Sequence, residues 1–278
     1  MRVGIVGTGK VGSSLGQYLV NNEIEIAGVY DILSANSKQM ANVLNTEYFS
    51  ELSFLVAASD ILFLTVTDSA IADVWEQIRE FDINGKIICH CSGALASTVF
   101  INIENLGASG YSVHPVMVIS NTCDYEALAQ APFTIEGDEN RISALIDLFG
   151  KLGNQVQIIT AQNKIKYHAA AVFSSNFVNV LASISGRLLS ECGLGEKEQQ
   201  LFTPLLKQAA HNVNLVGPIN SLTGPIERND VMTVRKHLSA FETSDINQIY
   251  RQLSKELVAI AAQKNQNSDY AELLELLK

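Results

Sequence analysis

Val3-Gly4-Ile5-Val6-Gly7-Thr8-Gly9-Lys10-Val11-Gly12 stands near the start of the chain, and the reading of this stretch decides the fold. Val3 to Val6 is a short apolar run of the kind that forms a strand buried on both faces. Gly7 to Gly12 fits G-x-G-x-x-G; Leu15 and Leu19 follow at helical spacing, and Asn21-Asn22 ends the helix. A second strand pattern over 24–30 stops at Asp31, nineteen positions after Gly12. Each part has a chemical purpose. Gly7 permits a tight turn, Gly9 lets the backbone approach a pyrophosphate, and Gly12 lets helix and strand pack closely. The helix amino end offers unpaired N–H groups and a positive dipole end to phosphates. A lone hexapeptide of this kind is a weak signal, whereas strand, motif, helix, strand and terminal acid in order are a strong one. Thr8, Lys10 and Val11 join the three glycines as candidate cofactor-binding residues. Asp31 is placed to accept hydrogen bonds from an adenosine ribose. No Arg follows it closely to hold a 2′-phosphate, so the expected NAD(P)H cofactor leans to NAD. The competing readings are a glycine-rich turn without a ligand and a solvated acid at a strand end.

The 278 residues suggest two domains. A net charge of −10 makes nucleic acid a poor main partner, because an acidic surface repels phosphate backbones. Hydrophobic residues at 47% and charged ones at 17% fit a globular chain with a large core. No stretch reads as a membrane span: the nearest candidate, 169–185, is interrupted by Ser174, Ser175, Asn176, Asn179 and Ser183. Gly7 to Lys10 breaks the first apolar run before a signal peptide could form. Cys89, Cys91, Cys123 and Cys192 are too few for a disulfide scaffold, so reduced thiols in a cytoplasmic protein are expected.

Strand patterns recur at 61–66, 86–90, 111–113, 133–136 and 156–159, with helical patterns at 34–44, 70–80 and 139–152. This alternation argues for α/β architecture, a doubly wound Rossmann-like sheet with ligands beyond the carboxyl ends of its strands. Three loops fall at such ends: Thr65-Val66-Thr67-Asp68, Cys91-Ser92-Gly93-Ala94 and His114-Pro115-Val116-Met117. Thr65, Val66, Thr67, Ser92 and Gly93 are therefore taken as cofactor-side candidates. After Thr160 only helical patterns remain, at 162–192, 196–216, 230–242, 244–263 and 268–277, with an irregular loop at 217–229. The expected organisation is a dinucleotide-binding domain over 1–160 and an all-α domain over 161–278.

Read as one continuous helix, 162–192 gathers Lys164, His168, Ser175 and Asn179 in a sector of roughly 60°, with Asn176 at its border. Such a stripe on a mostly apolar helix must find partners or line a cleft. His168 or Lys164 could protonate a developing alkoxide, while Ser175, Asn176 or Asn179 orients a carbonyl substrate. The plainer alternative is bonding between helices, with Lys164 exposed near the helix start. In Leu222-Thr223-Gly224-Pro225-Ile226-Glu227-Arg228-Asn229-Asp230, Arg228 could clamp a carboxylate, or Asp230 could simply cap the next helix and pair with Arg228. His114, at a strand end, is a cleft candidate or a packed imidazole. Cys89-His90-Cys91 invites a metal reading, but alternate residues of a strand face opposite ways, so no metal site is expected. No G-x-S-x-G or G-x-x-x-x-G-K-[ST] occurs, so hydrolase and nucleotide-triphosphatase readings have no support.

Together these residues resemble a set of oxidoreductases that join a Rossmann-like domain to a helical C-terminal domain long classed as of unknown function. The wider relatives are the 6-phosphogluconate dehydrogenase-like reductases, ketopantoate reductase and pyrroline-5-carboxylate reductase among them. The resemblance rests on Gly7 to Gly12, His90-Cys91-Ser92-Gly93, His114-Pro115, Tyr167-His168-Ala169-Ala170-Ala171, Ser175-Asn176-Phe177 and Leu222-Thr223-Gly224-Pro225 through Asp230. It implies an NAD(P)H-dependent reductase of a small keto acid, with 2-dehydropantoate as first substrate and a homodimer formed through the helical half. An imine reductase of the pyrroline-5-carboxylate type is the alternative enzyme, and a dinucleotide-binding redox sensor the alternative class. Two departures stand out. The Lys with an Asn four residues on, found in hydroxyacid dehydrogenase relatives, is absent: Lys164 is followed by His168 and Lys166 by Ala170. Asn229 also stands where the family pattern has Gly.

Overall fold

The structure is a computed structural model that describes residues 1–195, 201–241 and 244–278. The chain forms two compact units, Met1–Phe177 and Val178–Lys278.

The first unit runs β1 (Val3–Val6), α1 (Lys10–Asn21), β2 (Ile26–Tyr30), α2 (Ser34–Leu44), α3 (Leu52–Ala58), β3 (Ile61–Leu64), α4 (Asp68–Ile78) and β4 (Ile87–His90). It continues through β5 (Ser109–Pro115), α5 (Tyr125–Gln130), β6 (Phe133–Gly137), α6 (Ile142–Lys151), β7 (Val156–Ile158) and α7 (Lys164–Ser174). One sheet takes the order β2-β1-β3-β4-β5-β6-β7. All residues of β1, β3 and β4 are buried, as their unbroken apolar runs require of central strands. Alternate side chains feed two cores. Ile5, Phe63 and Cys89 join Leu15, Leu19 and Phe149 on one face. On the other, Val6, Leu62, Leu64 and Ile88 pack with Trp75 and Phe100. Each such buried side chain contributes about 1.5–3 kcal/mol.

β2 and β3 lie on opposite sides of β1. The order in which strands join the sheet therefore reverses there, and a crevice opens beyond the carboxyl ends of β1 and β3. The sheet is parallel from β2 to β5, but β5 and β6 run antiparallel, placing His114 directly opposite Thr134.

The helix expected over 162–192 is two helices. α7 ends at Ser174, and α8 (Asn176–Glu191) begins after Ser175, whose φ of −128° and ψ of −67° leave the helical range. Ser174 Oγ donates to the Ala170 carbonyl at 3.1 Å and Ser175 Oγ to that of Ala171 at 2.7 Å. Such bonds compete with the helix ladder and bend it. Consequently the stripe is interrupted: Ser175 still lines a cavity with His168, whereas Asn179 does not. α7 belongs to the first unit, where Lys164 and Tyr167 bond to residues of the sheet, so the unit boundary falls later than the change of sequence texture near residue 160.

The second unit holds α9 (Thr203–Ser221), α10 (Val231–Ala240), α11 (Ser244–Lys264) and α12 (Ala271–Leu276), besides most of α8. α9 passes a kink at Gly217, with φ of 78°, and Pro218 lies within it, so the irregular loop is shorter than the sequence suggests. Residues 196–200, expected to begin that helix, lie outside the described residues. Ile226, Val234, Leu238, Val258, Tyr270 and Leu273 form a small core. Asn229 adopts a left-handed φ of 56°, which explains why glycine suits this place and why Asn, tolerant of that region, can replace it. α8 and α9 leave Val180, Leu181, Leu205, Leu206, Leu215 and Val216 exposed.

Contrary to the sequence expectation, one stretch among the described residues, Ala161–Glu191, is long and apolar enough by length and composition to cross a membrane. It is interrupted at Ser175 and carries Lys164, His168 and Asn176, which leaves free backbone and polar groups where a bilayer has no partners for them.

Candidate functional site

Two of the cavities in the first unit open near carboxyl ends of its strands. One, of about 370 Å³, is lined by Gly7 and Gly9 after β1, by Tyr30, Asp31 and Ile32 after β2, and by Thr65, Val66 and Thr67 after β3. Gly7 takes a φ of 92°, which an L side chain rarely adopts. Thr65 Oγ1 donates to the Gly7 carbonyl at 2.6 Å, and Gly7 N donates to the Tyr30 carbonyl at 2.8 Å. A Cβ on Gly12 would overlap the Gly7 carbonyl oxygen and the Thr65 hydroxyl, so the close helix–strand approach requires glycine there. Gly9 differs: a Cβ there would meet nothing within 4 Å. Gly9 is the N-cap of α1, and no side chain caps that helix end. Lys10 is exposed in the first turn, Val11 half-buried and Thr8 buried.

Asp31 holds the loop from the other side. Its Oδ2 accepts from Thr8 N at 2.8 Å and Thr8 Oγ1 at 2.9 Å, and its Oδ1 accepts from Leu33 N at 2.9 Å. A carboxylate has about four acceptor sites, so Oδ1 retains one. Open space at Gly9, an uncapped helix end and a carboxylate with spare capacity fit a dinucleotide's diphosphate and ribose.

The second cavity, of about 380 Å³, is lined by His114, Val116, Met117, Val118, His168, Ala171, Val172, Ser174, Ser175 and Asn176. Gly93, at the end of β4, lies against its two imidazoles. A Cβ there would stand 2.8 Å from His168 Nδ1 and 2.9 Å from His114 Nε2, so both nitrogens converge on one point. His168 Nδ1 is buried without a hydrogen-bond partner. Burial, with the Lys164 charge next in weight, pushes His114 down to about 4, so its ring is neutral at pH 7.

Beneath this cavity Lys164 is buried, not exposed at the helix start. Its Nζ donates to the Ser92 carbonyl at 2.9 Å and to Ser112 Oγ at 2.6 Å. Burial lowers its pKa to about 8, against the opposing pull of Glu136 and Asp68. Ser92 is committed as well. Its Oγ donates to Asp68 Oδ2 at 2.7 Å and accepts from Ala94 N and Leu95 N at 3.2 and 3.0 Å. His90 is buried, with ring contacts to Ala96 O at 3.3 Å and Ser92 N at 3.2 Å.

Other sequence candidates lie elsewhere. Asn179 is exposed on α8 and is not among the residues lining the cavity. Arg228 is exposed in the second unit. Asp230 caps α10, accepting from Thr233 N at 3.0 Å and Thr233 Oγ1 at 2.7 Å. Ser175 Oγ also reaches Asn176 Oδ1 at 2.9 Å. Sequence reasoning missed Tyr167, Thr134 and Ser112. Tyr167 joins His114 to Thr134, an arrangement whose only sequence trace is the Tyr167-His168 motif.

A Rossmann-like domain model matches residues 1–115, and the model of a domain of unknown function, DUF2520, matches residues 131–257. No curated protein matches the chain significantly. Among solved structures, protein TM1727 from Thermotoga maritima is 26% identical over 95% of this chain and 99% of its own, with a TM-score of 0.77. A candidate NADP oxidoreductase from Bacteroides fragilis is 22% identical over 93% of this chain and 98% of its own, at a TM-score of 0.72. An imine reductase from Aspergillus terreus, solved with NADPH4 and a dibenzazepine, is 14% identical over 98% of this chain and 97% of its own, at 0.63. The latter two likenesses establish a shared fold. Together the two domain models cover most of the chain, and the DUF2520 match takes in β6, α6 and β7 as well as helices of the second unit.

Proposed function

We propose that this chain is an NAD(P)H-dependent oxidoreductase that reduces a C=O or C=N bond of a small substrate. One observation carries the reading: an uncapped glycine-loop helix end and a cavity of converging imidazoles open at carboxyl ends of strands in one sheet. The cofactor-bound reductases that share the fold support it. When bound, the nicotinamide dinucleotide supplies a hydride. The first-turn amides of α1, beside Gly9, hold the diphosphate. Asp31 Oδ1 takes a ribose hydroxyl, and its charge disfavours a 2′-phosphate, so NAD is the favoured cofactor. His114 and His168 face the point where negative charge gathers. Lys164 ties the Ser92 carbonyl, in the loop after β4, to Ser112 in the middle of β5 rather than touching substrate.

By resemblance, 2-dehydropantoate is the first substrate to test. A cyclic imine is the second reading. Its support is the cavity lining, where Val116, Met117, Val118, Ala171 and Val172 surround the polar groups and no Lys or Arg appears. The exposed apolar faces of α8 and α9 support a homodimer that covers them. Four free thiols suit a cytoplasmic setting. The test is oxidation of NADH and of NADPH with a panel of 2-keto acids, ketones and cyclic imines. Turnover of 2-dehydropantoate selects the first substrate and imine turnover the second. Dinucleotide binding without turnover across the panel would make the protein a redox sensor.

A further inference from the structure

We propose that Tyr167 is a positioning residue that fixes the tautomer of His114, so that His114 Nε2–H donates a hydrogen bond to the substrate atom that gains negative charge. The inference rests on the reductase reading above and deepens it.

Antiparallel pairing of β5 with β6 sets His114 and Thr134 opposite one another on the same face of the sheet. Tyr167, on the first turn of α7, closes over both. Its Oη lies 2.6 Å from His114 Nδ1 and accepts from Thr134 Oγ1 at 3.0 Å. The His114 and Tyr167 rings meet edge to face, with centroids 5.6 Å apart.

Counting protons decides the direction of the chain. With Thr134 donating to Tyr167, the phenolic proton is free for His114 Nδ1, and every hydroxyl proton has an acceptor. In the reverse order, His114 Nδ1–H would donate to Tyr167 and Tyr167 to Thr134. The Thr134 proton would then have no acceptor among the described residues, in a side chain only 6% exposed. Buried donors are seldom left so. Because Nδ1 accepts, Nε2 carries the single proton of the neutral ring. That Nε2 lies against Gly93 and belongs to a ring that lines the cavity, where a substrate atom would meet it.

The chemistry then balances. As hydride arrives on the carbon, the π pair of the C=O or C=N bond moves to the heteroatom, which the Nε2–H hydrogen bond stabilises. Solvent water supplies the proton that completes the O–H or N–H bond, so the imidazole need not lose its own. A neutral imidazole acting as hydrogen-bond donor to a carbonyl has precedent in other enzymes.

The test is the ¹⁵N spectrum of histidine-labelled protein, with the His114 signal among the five histidines identified by its loss in His114→Asn. The Nε2–H tautomer is expected at His114 in the unliganded wild type. Tyr167→Phe is expected to mix the tautomers and to lower kcat about tenfold or more, leaving the Kd for NADH within about twofold. Thr134→Val, a milder change that frees Tyr167 to turn, should mix the tautomers partially. An Nδ1–H tautomer in the wild type would overturn the proposal, as would a Tyr167→Phe protein with unchanged tautomer and kcat. A panel without turnover would defeat the reductase reading alone, because the spectrum of the wild type still decides the tautomer.

Discussion

The glycine-loop cavity and the imidazole cavity are nearly equal in size, about 370 and 380 Å³, yet they are made of different material. The cavity beyond β1 and β3 has one wall of backbone, with a positive-φ glycine, a glycine with open space and a helix end without a cap, and side chains such as Tyr30, Asp31 and Val66 line the rest. The cavity at Gly93 is shaped by side chains drawn from β5, α7 and the loop after β5. A backbone-built site depends on where side chains are missing, and that absence is written in glycine spacing. A site built of side chains depends on which residues meet across the sheet, which spacing does not record. Substitutions that act on one cavity should therefore spare the other.

The largest expected effect is at Gly9. Gly9→Glu should weaken NADH binding more than a hundredfold, about 3 kcal/mol, with an unchanged melting temperature, because its side chain enters open space that the diphosphate needs. Calorimetry showing wild-type affinity would break the assignment of the first cavity.

Lys164→Ala removes two buried hydrogen bonds and opens a void, leaving Ser112 Oγ donating to the Ser92 carbonyl at 3.1 Å. It should cost about 3 kcal/mol in urea unfolding while NADH affinity is retained. This residue also sets a pH dependence. Its folded-state pKa of about 8 lies below the ordinary lysine value of 10.5, so between those values the unfolded chain binds more protons. Stability contributed at this site must then rise with pH across that window. The Lys164→Ala variant should lack the rise, and a rise of equal size in both proteins would show that it originates elsewhere.

Gly93→Ala sharpens the distinction from the other side. Its methyl group would press on both imidazoles, so kcat/KM should fall about thirtyfold, roughly 2 kcal/mol, with little change in NADH affinity. Equal losses in both cavities would show that they are not separable. The smallest effect is expected at Asp31. Asp31→Ser should move the ratio of NADP to NAD affinity about tenfold toward NADP, near 1.4 kcal/mol, as measured by titration with each cofactor.

The opening strand–loop–helix was fully legible because its signals are local. Gly7 and Gly12 have backbone reasons to be glycine, Gly9 stands beside open space, and Asp31 follows at the end of the next strand. The apolar runs of β3 and β4 were equally plain. Lys164 was not, because a lysine at a helix start reads as solvent-exposed until the Ser92 and Ser112 oxygens are found beside it. Ser175 was misplaced for a related reason. Periodicity carries a helix through it, whereas serine side chains bonding back to Ala170 and Ala171 accompany the break. His114 was singled out alone, since its partners come from a strand and a helix remote in sequence.

By itself the sequence determined the α/β half, the helical half and the glycine loop between β1 and α1. Glycine positions and apolar periods are properties of neighbours along the chain. Only the tertiary structure decided what Lys164, His114 and His168 face. The antiparallel turn of β6 and the seating of α7 against the first unit bring together residues that no period relates, and burial then sets their protonation.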